Sequence, residues 1–455
     1  MLDVRLYGNP SPRQMVAMVM IAWGFSGQAY SQESAGNEAM PGESYEALAD
    51  DGAWCWFSDP RAFYYQGKHR RIYAGWIDHN GNVTVGSYDL DSRLLNRKIL
   101  DNVHETDDHD CPAMQITPEG RLMVFYSRHA DATPLRIAVS GSPEDIDYWE
   151  PVRDLYLNDT VAYSGLLNSY TYANLCRLTS ENNKLYLFWR GMDFKPNLSV
   201  SPDQGLTWEK GRILILPDRL YPNRRPYIKV SSNGVDDIDF AFTDGHPRNE
   251  PTNSIYYIRY RQGAFFKAGG EKTAGMNDLP LNLLAADKIY DASKTGEKAW
   301  IWDVAEDGNG SPVVVYVRFH GDTSHVYYYA KWDGHQWNNY RLADSGGWFP
   351  QTPEGTEERE PNYSGGLVLD HQDPGVVYLS IKRMHRFEIE KWVTPDGGKS
   401  WLISPVTRNS AHDNVRPFVI RNTPAGSSPK ILWLNINHYV HYTDYRSSIR
   451  MDIRK

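Results

Sequence analysis

The sequence predicts an all-β chain, a seven-bladed β-propeller of four-stranded antiparallel blades, on three observations. The first is composition: 15 Trp, 30 Tyr and 14 Phe stand beside 36 Gly and 27 Pro, the mixture of short strands joined by tight turns. The second is a two-strand phrase that recurs seven times. The third is an eight-residue turn signature that occurs twice. With 455 residues, 41% of them hydrophobic, the chain can bury a large core, and a closed all-β ring absorbs such a length as one unit.

The N-terminus reads differently from the rest. Arg5 and Arg13 precede the apolar run Met15 to Phe25, which ends at the small-x-small site Ala29-Tyr30-Ser31. That is the pattern of a secretory signal peptide, assigned to residues 1–31. A polar, flexible linker is expected over 32–50, and the propeller over 51–455. No later segment is apolar enough to span a bilayer, so a secreted or periplasmic monomer without stable membrane insertion is expected. Cys55, Cys111 and Cys176 form neither a C-x-x-C pair nor an even set and read as buried free thiols.

Each phrase is an apolar strand, a turn rich in Gly, Pro, Asn and Asp, and a second strand rich in Val, Tyr, Phe and Trp. The seven are Trp54 to Phe63 with Ile72 to Ile77, Cys111 to Ile116 with Leu122 to Tyr126, Tyr172 to Leu178 with Leu185 to Trp189, and Tyr227 to Val230 with Ile238 to Thr243. Then follow Trp300 to Ala305 with Val313 to Val317, Ser364 to Leu369 with Val376 to Ile381, and Val415 to Ile420 with Ile431 to Ile436. Their starts lie roughly 50 to 75 residues apart, the scale of one blade. Ser201 to Trp208 and Thr394 to Trp401 both match the Asp-box, S/T-x-D-x-G-x-T/S-W. Such turns join outer strands of blades, away from the axis, and carry architecture rather than chemistry.

In such a ring the start of each inner strand and the end of the next strand share one mouth of the axis. The second-strand ends supply Asp78-His79, Arg128-His129, Arg190, His246, Arg318 with His320, Lys382-Arg383 with His385, and His438. The inner-strand starts add His109, Tyr172, Asn174, Arg225, Tyr227, Tyr363 and Arg416. A net charge of −9 excludes a general nucleic-acid binder, so cations gathered at one mouth point to an anionic ligand. The aromatic content favours an anionic carbohydrate.

Glycoside hydrolysis needs a pair of carboxylates at a set separation, and no evident pair occupies this mouth. Elimination from a uronic acid needs other parts: a charge neutraliser, a base for the C5 proton and an acid for the leaving oxygen. Arg190 or Asn174 suits the first role, His109 or His129 the second, and Tyr172 or Tyr227 the third. Arg225, Tyr227, His246, Asn174 and Arg318 are the expected substrate-binding residues. The chemistry needs no cofactor, and no spacing assigns a structural Ca²⁺ or Zn²⁺ site.

Several stretches carry a family resemblance: Asp51-Gly52-Ala53-Trp54-Cys55-Trp56-Phe57-Ser58-Asp59-Pro60-Arg61, Asp107-Asp108-His109, Tyr126-Ser127-Arg128-His129, Phe188-Trp189-Arg190-Gly191, Arg225-Pro226-Tyr227-Ile228-Lys229 and Thr243-Asp244-Gly245-His246-Pro247-Arg248. From about Asp51 onward the chain resembles the BNR-repeat propellers that include secreted ulvan lyases. The resemblance implies a seven-bladed enzyme that cleaves ulvan, a sulfated algal polysaccharide, by β-elimination beside a glucuronic or iduronic acid. It implies that His109, His129, Arg190, Tyr227 and His246 lie in or near a catalytic canyon, and Tyr172 or its neighbour Tyr170 with them. A sialidase-like exo-glycosidase and a non-catalytic carbohydrate-binding propeller are the alternatives. Against the first, the Arg-Ile-Pro motif expected near the start of that family is absent; the second has no need of His109 and His129 together.

Overall fold

The computed structural model describes residues 45–103, 105–158, 169–217, 224–321 and 323–454. The signal peptide and most of the linker expected from the sequence lie outside these residues. Among them, seven antiparallel sheets form the blades of the propeller. Blade 1 comprises Ala62–Gln66, Arg70–Ile77, Asn82–Asp89 and Leu95–Asn102; blade 2, Ala113–Ile116, Leu122–Tyr126, Leu135–Val139 and Arg153–Leu155. Blade 3 comprises Thr171–Leu178, Lys184–Arg190, Pro196–Ser201 and Arg212–Ile213. Blade 4 begins Ile228–Ser232, Asp237–Thr243, Ile255–Arg261, and its fourth position is split: Ala264–Phe266 pairs one half of the third strand and Asp287–Tyr290 the other. Blade 5 comprises Lys298–Glu306, Pro312–Phe319, His325–Trp332 and Trp337–Asp344, and blade 6 Leu367–Leu369, Val376–Arg383, Arg386–Val393 and Leu402–Pro405.

Blade 7 is built from both ends of the described chain. Asp413–Val419, Ile431–His441 and Asp444–Arg454 take Tyr45–Ala49 as their outer strand, in the register Tyr45↔Arg454, Ala47↔Arg450 and Ala49↔Ile449. Residues 45–49, placed in the linker by sequence, therefore belong to the ring. Their side chains alternate too little to read as a strand on their own, and only pairing across the closure reveals them.

Inner strands are packed on both faces by neighbouring blades. Pro312–Phe319, PVVVYVRF, is accordingly a near-continuous buried apolar run, whereas the outer strand Leu95–Asn102 has no buried residue and is half exposed. Trp54, Trp76, Trp189, Trp300 and Trp433 are fully buried. The three cysteines are free and buried, as the sequence suggested. Among the described residues no helix is long and apolar enough to cross a membrane.

The segment 52–61 corrects the sequence reading, which took it for part of a strand. It crosses the axis, and its backbone is satisfied both by the main chains of neighbouring blades, as from Cys55 N to Asp108 O and from Asp59 N to Ala173 O, and by side chains of the surrounding blades. Asn174 of blade 3 donates to Phe57 O at 2.8 Å, Lys229 of blade 4 to Trp56 O at 2.5 Å and Arg416 of blade 7 to Trp54 O at 2.7 Å. In return the indoles of Trp54 and Trp56 donate to Arg416 O and Ile301 O, each at 3.3 Å. Buried backbone groups must be paired somewhere, and here residues of blades 3, 4, 5 and 7 supply partners. The apolar side chains made the segment look like a strand; they instead form a floor between the two mouths of the ring.

Both Asp-boxes fold alike. Asp203 accepts from Thr207 N at 2.8 Å and Thr207 Oγ1 at 2.6 Å, and Asp396 from Ser400 N at 2.8 Å and Ser400 Oγ at 2.6 Å. Gly205 and Gly398 take φ of 92° and 108°, where a side chain is strained. A Cβ on Gly205 would also lie 2.4 Å from Met123. The boxes join the third and fourth strands of blades 3 and 6, at the periphery.

Candidate active site

Above the axial segment lies a cavity of about 220 Å³. Trp56 and Phe57 line it, together with His109 and His129 of blade 2, Tyr172 and Arg190 of blade 3, and Arg225, Tyr227 and His246 of blade 4. Seven of the nine residues proposed from sequence thus converge. Trp300, Arg248, Glu360, Tyr363 and Tyr442 complete much of the wall.

Blade 2 places the histidines from its two inner strands. Asp107 caps the short turn Asp108–Asp110, accepting from His109 N at 2.9 Å, and this turn feeds the inner strand Ala113–Ile116. His129 follows the second strand. One Asp107 oxygen meets His109 Nδ1 at 2.6 Å and the other meets His129 Nδ1 at 2.8 Å. The imidazoles stack, with centroids 4.3 Å apart and planes within 8°. Burial opposes ionisation of Asp107, but the two imidazoles overcome it and hold the carboxyl below the usual carboxylate range. Burial and the neighbouring His109 push His129 down to about 4, so it is neutral at neutral pH and its Nδ1–H leaves a lone pair on Nε2.

Tyr172 sits where the inner strand of blade 3 bulges. Its φ is 64°, and the register shifts between Thr171 and Asn174. Asn174 Nδ2 donates to Tyr172 O at 2.9 Å and so holds the bulge. A left-handed tyrosine costs on the order of 1–3 kcal/mol and persists only where its surroundings enforce it. Burial and Tyr227 push the Tyr172 phenol well up, with Arg190 pulling the other way. The guanidinium of Arg190 lies 4.6 Å from the centroid of the Tyr172 ring and donates to Tyr227 Oη at 3.1 Å. Arg190 is 7% exposed, and its Nε and Nη2 are buried with no hydrogen-bond partner among the described residues. Arg225 packs over Phe194 at 4.4 Å. His246 Nδ1 accepts from Arg248 N at 3.0 Å, and burial with the Arg248 charge pushes its pKa down to about 3.

Two expected ligand contacts are placed elsewhere. Asn174 is turned below the floor and lines the cavity of about 440 Å³ at the other mouth. It therefore supports Tyr172 and Phe57 and does not reach the upper cavity. Arg318 pairs with Glu297 and packs at 4.5 Å over both Tyr290 and Tyr328, remote from the wall of the upper cavity. The cations of other blades behave likewise: His79 pairs with Asp51, Arg383 with Glu390 and His438 with Asp444. A strand end fixes the mouth at which a residue emerges but not whether it points to the axis or to a local carboxylate. The ring of cations is therefore one-sided, concentrated in blades 2 to 4. Arg416 is fully buried beneath the site, paired with Asp108 at 2.5 Å.

Sequence reasoning missed Glu360, Tyr442 and Arg248 as wall residues. Arg248 reaches from blade 4 to Glu360 at 2.7 Å, and Glu360 lies 3.6 Å from His441. Burial raises the pKa of Glu360, but the His441 and Arg248 partners outweigh it and hold the carboxyl below its ordinary value. These residues come from loops before or after strands, where periodicity gives no signal. Among the described residues, donors of metal-ligating type cluster within 4.8 Å in two groups, Cys55 with Asp108 and His109, and Asp107 with His109 and His129. Asp107 and the two imidazoles already hydrogen-bond one another.

Fold and site together define an Asp-box propeller with a cationic, aromatic-walled canyon at one mouth. The chain belongs to the BNR repeat-containing family, which matches residues 71–345. Two solved structures of a polysaccharide lyase, an ulvan lyase, one of them bound to -[GlcA(1-4)Rha3S]-, are similar over 90% of this chain and 95% of theirs, with a TM-score of 0.67 and 16% identity. A Penicillium chrysogenum alpha-L-arabinanase complexed with arabinobiose is similar over 75% of this chain and 92% of its own, with a TM-score of 0.40 and 15% identity. At 16% identity the likeness to the lyase is one of fold. No curated protein sequence matches the chain.

Proposed function

We propose that the protein is a polysaccharide lyase that cleaves a uronate-containing anionic polysaccharide, ulvan being the favoured substrate, by β-elimination. The observation that carries this reading is the pairing, in one cavity, of a buried Arg190 that keeps two unsatisfied nitrogens with a neutral His129. A buried guanidinium left unsatisfied is costly, and a planar carboxylate is the group that satisfies it best. Once bound there, a uronate carboxylate is neutralised and its C5 proton acidified.

His129 Nε2 then takes the C5 proton, the electron pair forms the bond between C4 and C5, and the bond from C4 to the leaving oxygen breaks. A phenol protonates that oxygen. Tyr172 fits this role, because its hydroxyl makes no hydrogen bond among the described residues and its raised pKa keeps it protonated. Tyr227 instead tethers Arg190. The aromatic wall of Trp56, Phe57 and Trp300 suits sugar faces. Glu360 is the one carboxylate among the described wall residues, and it is tied to Arg248. That disfavours a hydrolase, which needs two flanking carboxylates.

The test is to incubate the protein with ulvan and other uronate polymers and follow the ultraviolet absorbance of unsaturated uronyl products. A rise with at least one polymer is expected. Reducing-sugar release without such absorbance points to a hydrolase, and neither signal points to a binding propeller.

A further inference from the structure

The two histidines are not equivalent, and the difference lies in the groups behind them. Asp107 is 1% exposed and uses one oxygen for each Nδ1. As an ionised carboxylate it accepts only, so each imidazole presents Nδ1–H to it and turns Nε2 away. His109 Nε2 then meets the hydroxyl of Tyr363 at 3.1 Å. Tyr363 is itself buried, its pKa pushed well up by burial and by Glu360, so it remains a phenol. Whether His109 is neutral or charged, this nitrogen is engaged, by accepting from the phenol or donating to it. His129 Nε2 has no partner among the described residues, and its side chain is 15% exposed against 5% for His109.

We propose that Asp107 and Tyr363 are positioning residues that make His129, and not His109, the proton acceptor. Asp107 fixes the tautomer of both rings, and Tyr363 occupies the one nitrogen with which His109 could compete. His109 becomes a brace: stacked on His129, it stiffens the ring that does the work. Carboxylates hydrogen-bonded behind catalytic imidazoles act in this way, and replacing one leaves the wrong tautomer in place. The inference rests on the elimination reading for its kinetic consequences, but the tautomers exist without substrate.

Other groups face the pair. Asp108 lies 3.2 Å from His109 Nδ1, with its own charge held by Arg416. Tyr172 faces both rings at 5.7 and 6.2 Å, and Tyr442 meets them edge-on at 4.5 and 5.4 Å. Arg190 and His109 oppose protonation of His129, and Asp107 favours it. Of these, Asp107 alone contacts both Nδ1 atoms by hydrogen bonds.

The experiment is nitrogen NMR of the imidazoles in the substrate-free full chain, with Asp107→Asn and Tyr363→Phe beside the wild type. At neutral pH the wild type is expected to show His129 protonated on Nδ1 and bare on Nε2. Asp107→Asn should mix or invert the tautomers of both rings, whereas Tyr363→Phe should shift the His109 Nε2 signal and leave the His129 tautomer in place. On a uronate polymer, Asp107→Asn should lower kcat by about 10²-fold with little change in KM. A proton on His129 Nε2 in the wild type, or unaltered tautomers and kcat in Asp107→Asn, overturns the proposal. If no uronate polymer is turned over but the tautomers behave as expected, the elimination reading fails and the positioning role stands.

Discussion

Arg190 shows how a single residue records a missing partner. Its guanidinium is packed between Tyr172, Phe194 and Tyr227, and one nitrogen is satisfied by the Tyr227 oxygen while two others are not. Arg190→Ala is expected to lower kcat on a uronate polymer by about 10²- to 10³-fold, as loss of one charge-stabilising group does, with an unchanged far-ultraviolet circular dichroism spectrum. Arg190→Lys should recover little, since a point charge lacks the planar fork that matches a carboxylate. Residue identity and strand-end position made Arg190, His109, His129 and Tyr227 legible in the sequence. Tyr172 was legible but not its conformation, because a φ of 64° comes from a bulge that Asn174 stabilises. Asn174 and Arg318 were misplaced for one reason: sequence gives the height of a side chain along the axis, and its direction depends on which neighbour offers a hydrogen bond or an ion pair.

At the level of elements, the axial segment and the Asp-boxes carry opposite predictions. Lys229 is fully buried, and its ammonium bonds Trp56 O and the carboxylate of Asp59. Lys229→Met strips that carboxylate of its main partner and removes a bond to the floor, and should cost about 3–5 kcal/mol in chemical denaturation. Because Trp56 and Phe57 line the cavity, turnover should fall as well. Asp203→Ala removes the acceptor that closes one peripheral turn, so the melting temperature should drop while kcat and KM stay near wild type. Equal loss of kcat in both variants would contradict the separation of floor and periphery. The boxes were readable from eight residues because their bonds are local. The floor and the closing strand were not, since their partners lie far away in the chain, as from Trp54 to Arg416 or from Tyr45 to Arg454.

The whole molecule should be acid-labile for a stated reason. Burial holds His129 and His325 at about 4 and His246 at about 3, against 6.5 for an unperturbed imidazole. Between those values the unfolded chain binds protons that the folded chain does not, so stability falls as pH falls. The contribution of these neutral imidazoles is complete above about pH 6.5 and is lost progressively toward pH 4; Asp107 and Asp303, held below their ordinary values by cationic and imidazole partners that outweigh burial, add to the loss at still lower pH. Burial also pushes Glu306 up to about 7 and Asp110 well above its ordinary value, which works against this loss; thermal melts between pH 7 and 4 should show a net decline, and a melting temperature that is flat or rises toward acid would contradict the dominance of the neutral histidines. The seven sheets were legible because each inner pair is local and apolar, and the one-sidedness of the site was not, because it depends on which rim cations find carboxylates nearby. The most direct measurement is mass spectrometry of oligosaccharides released from a uronate polymer in heavy-oxygen water. Elimination predicts chains with an unsaturated uronate at the non-reducing end and no heavy oxygen introduced by cleavage; saturated ends carrying the label would contradict it.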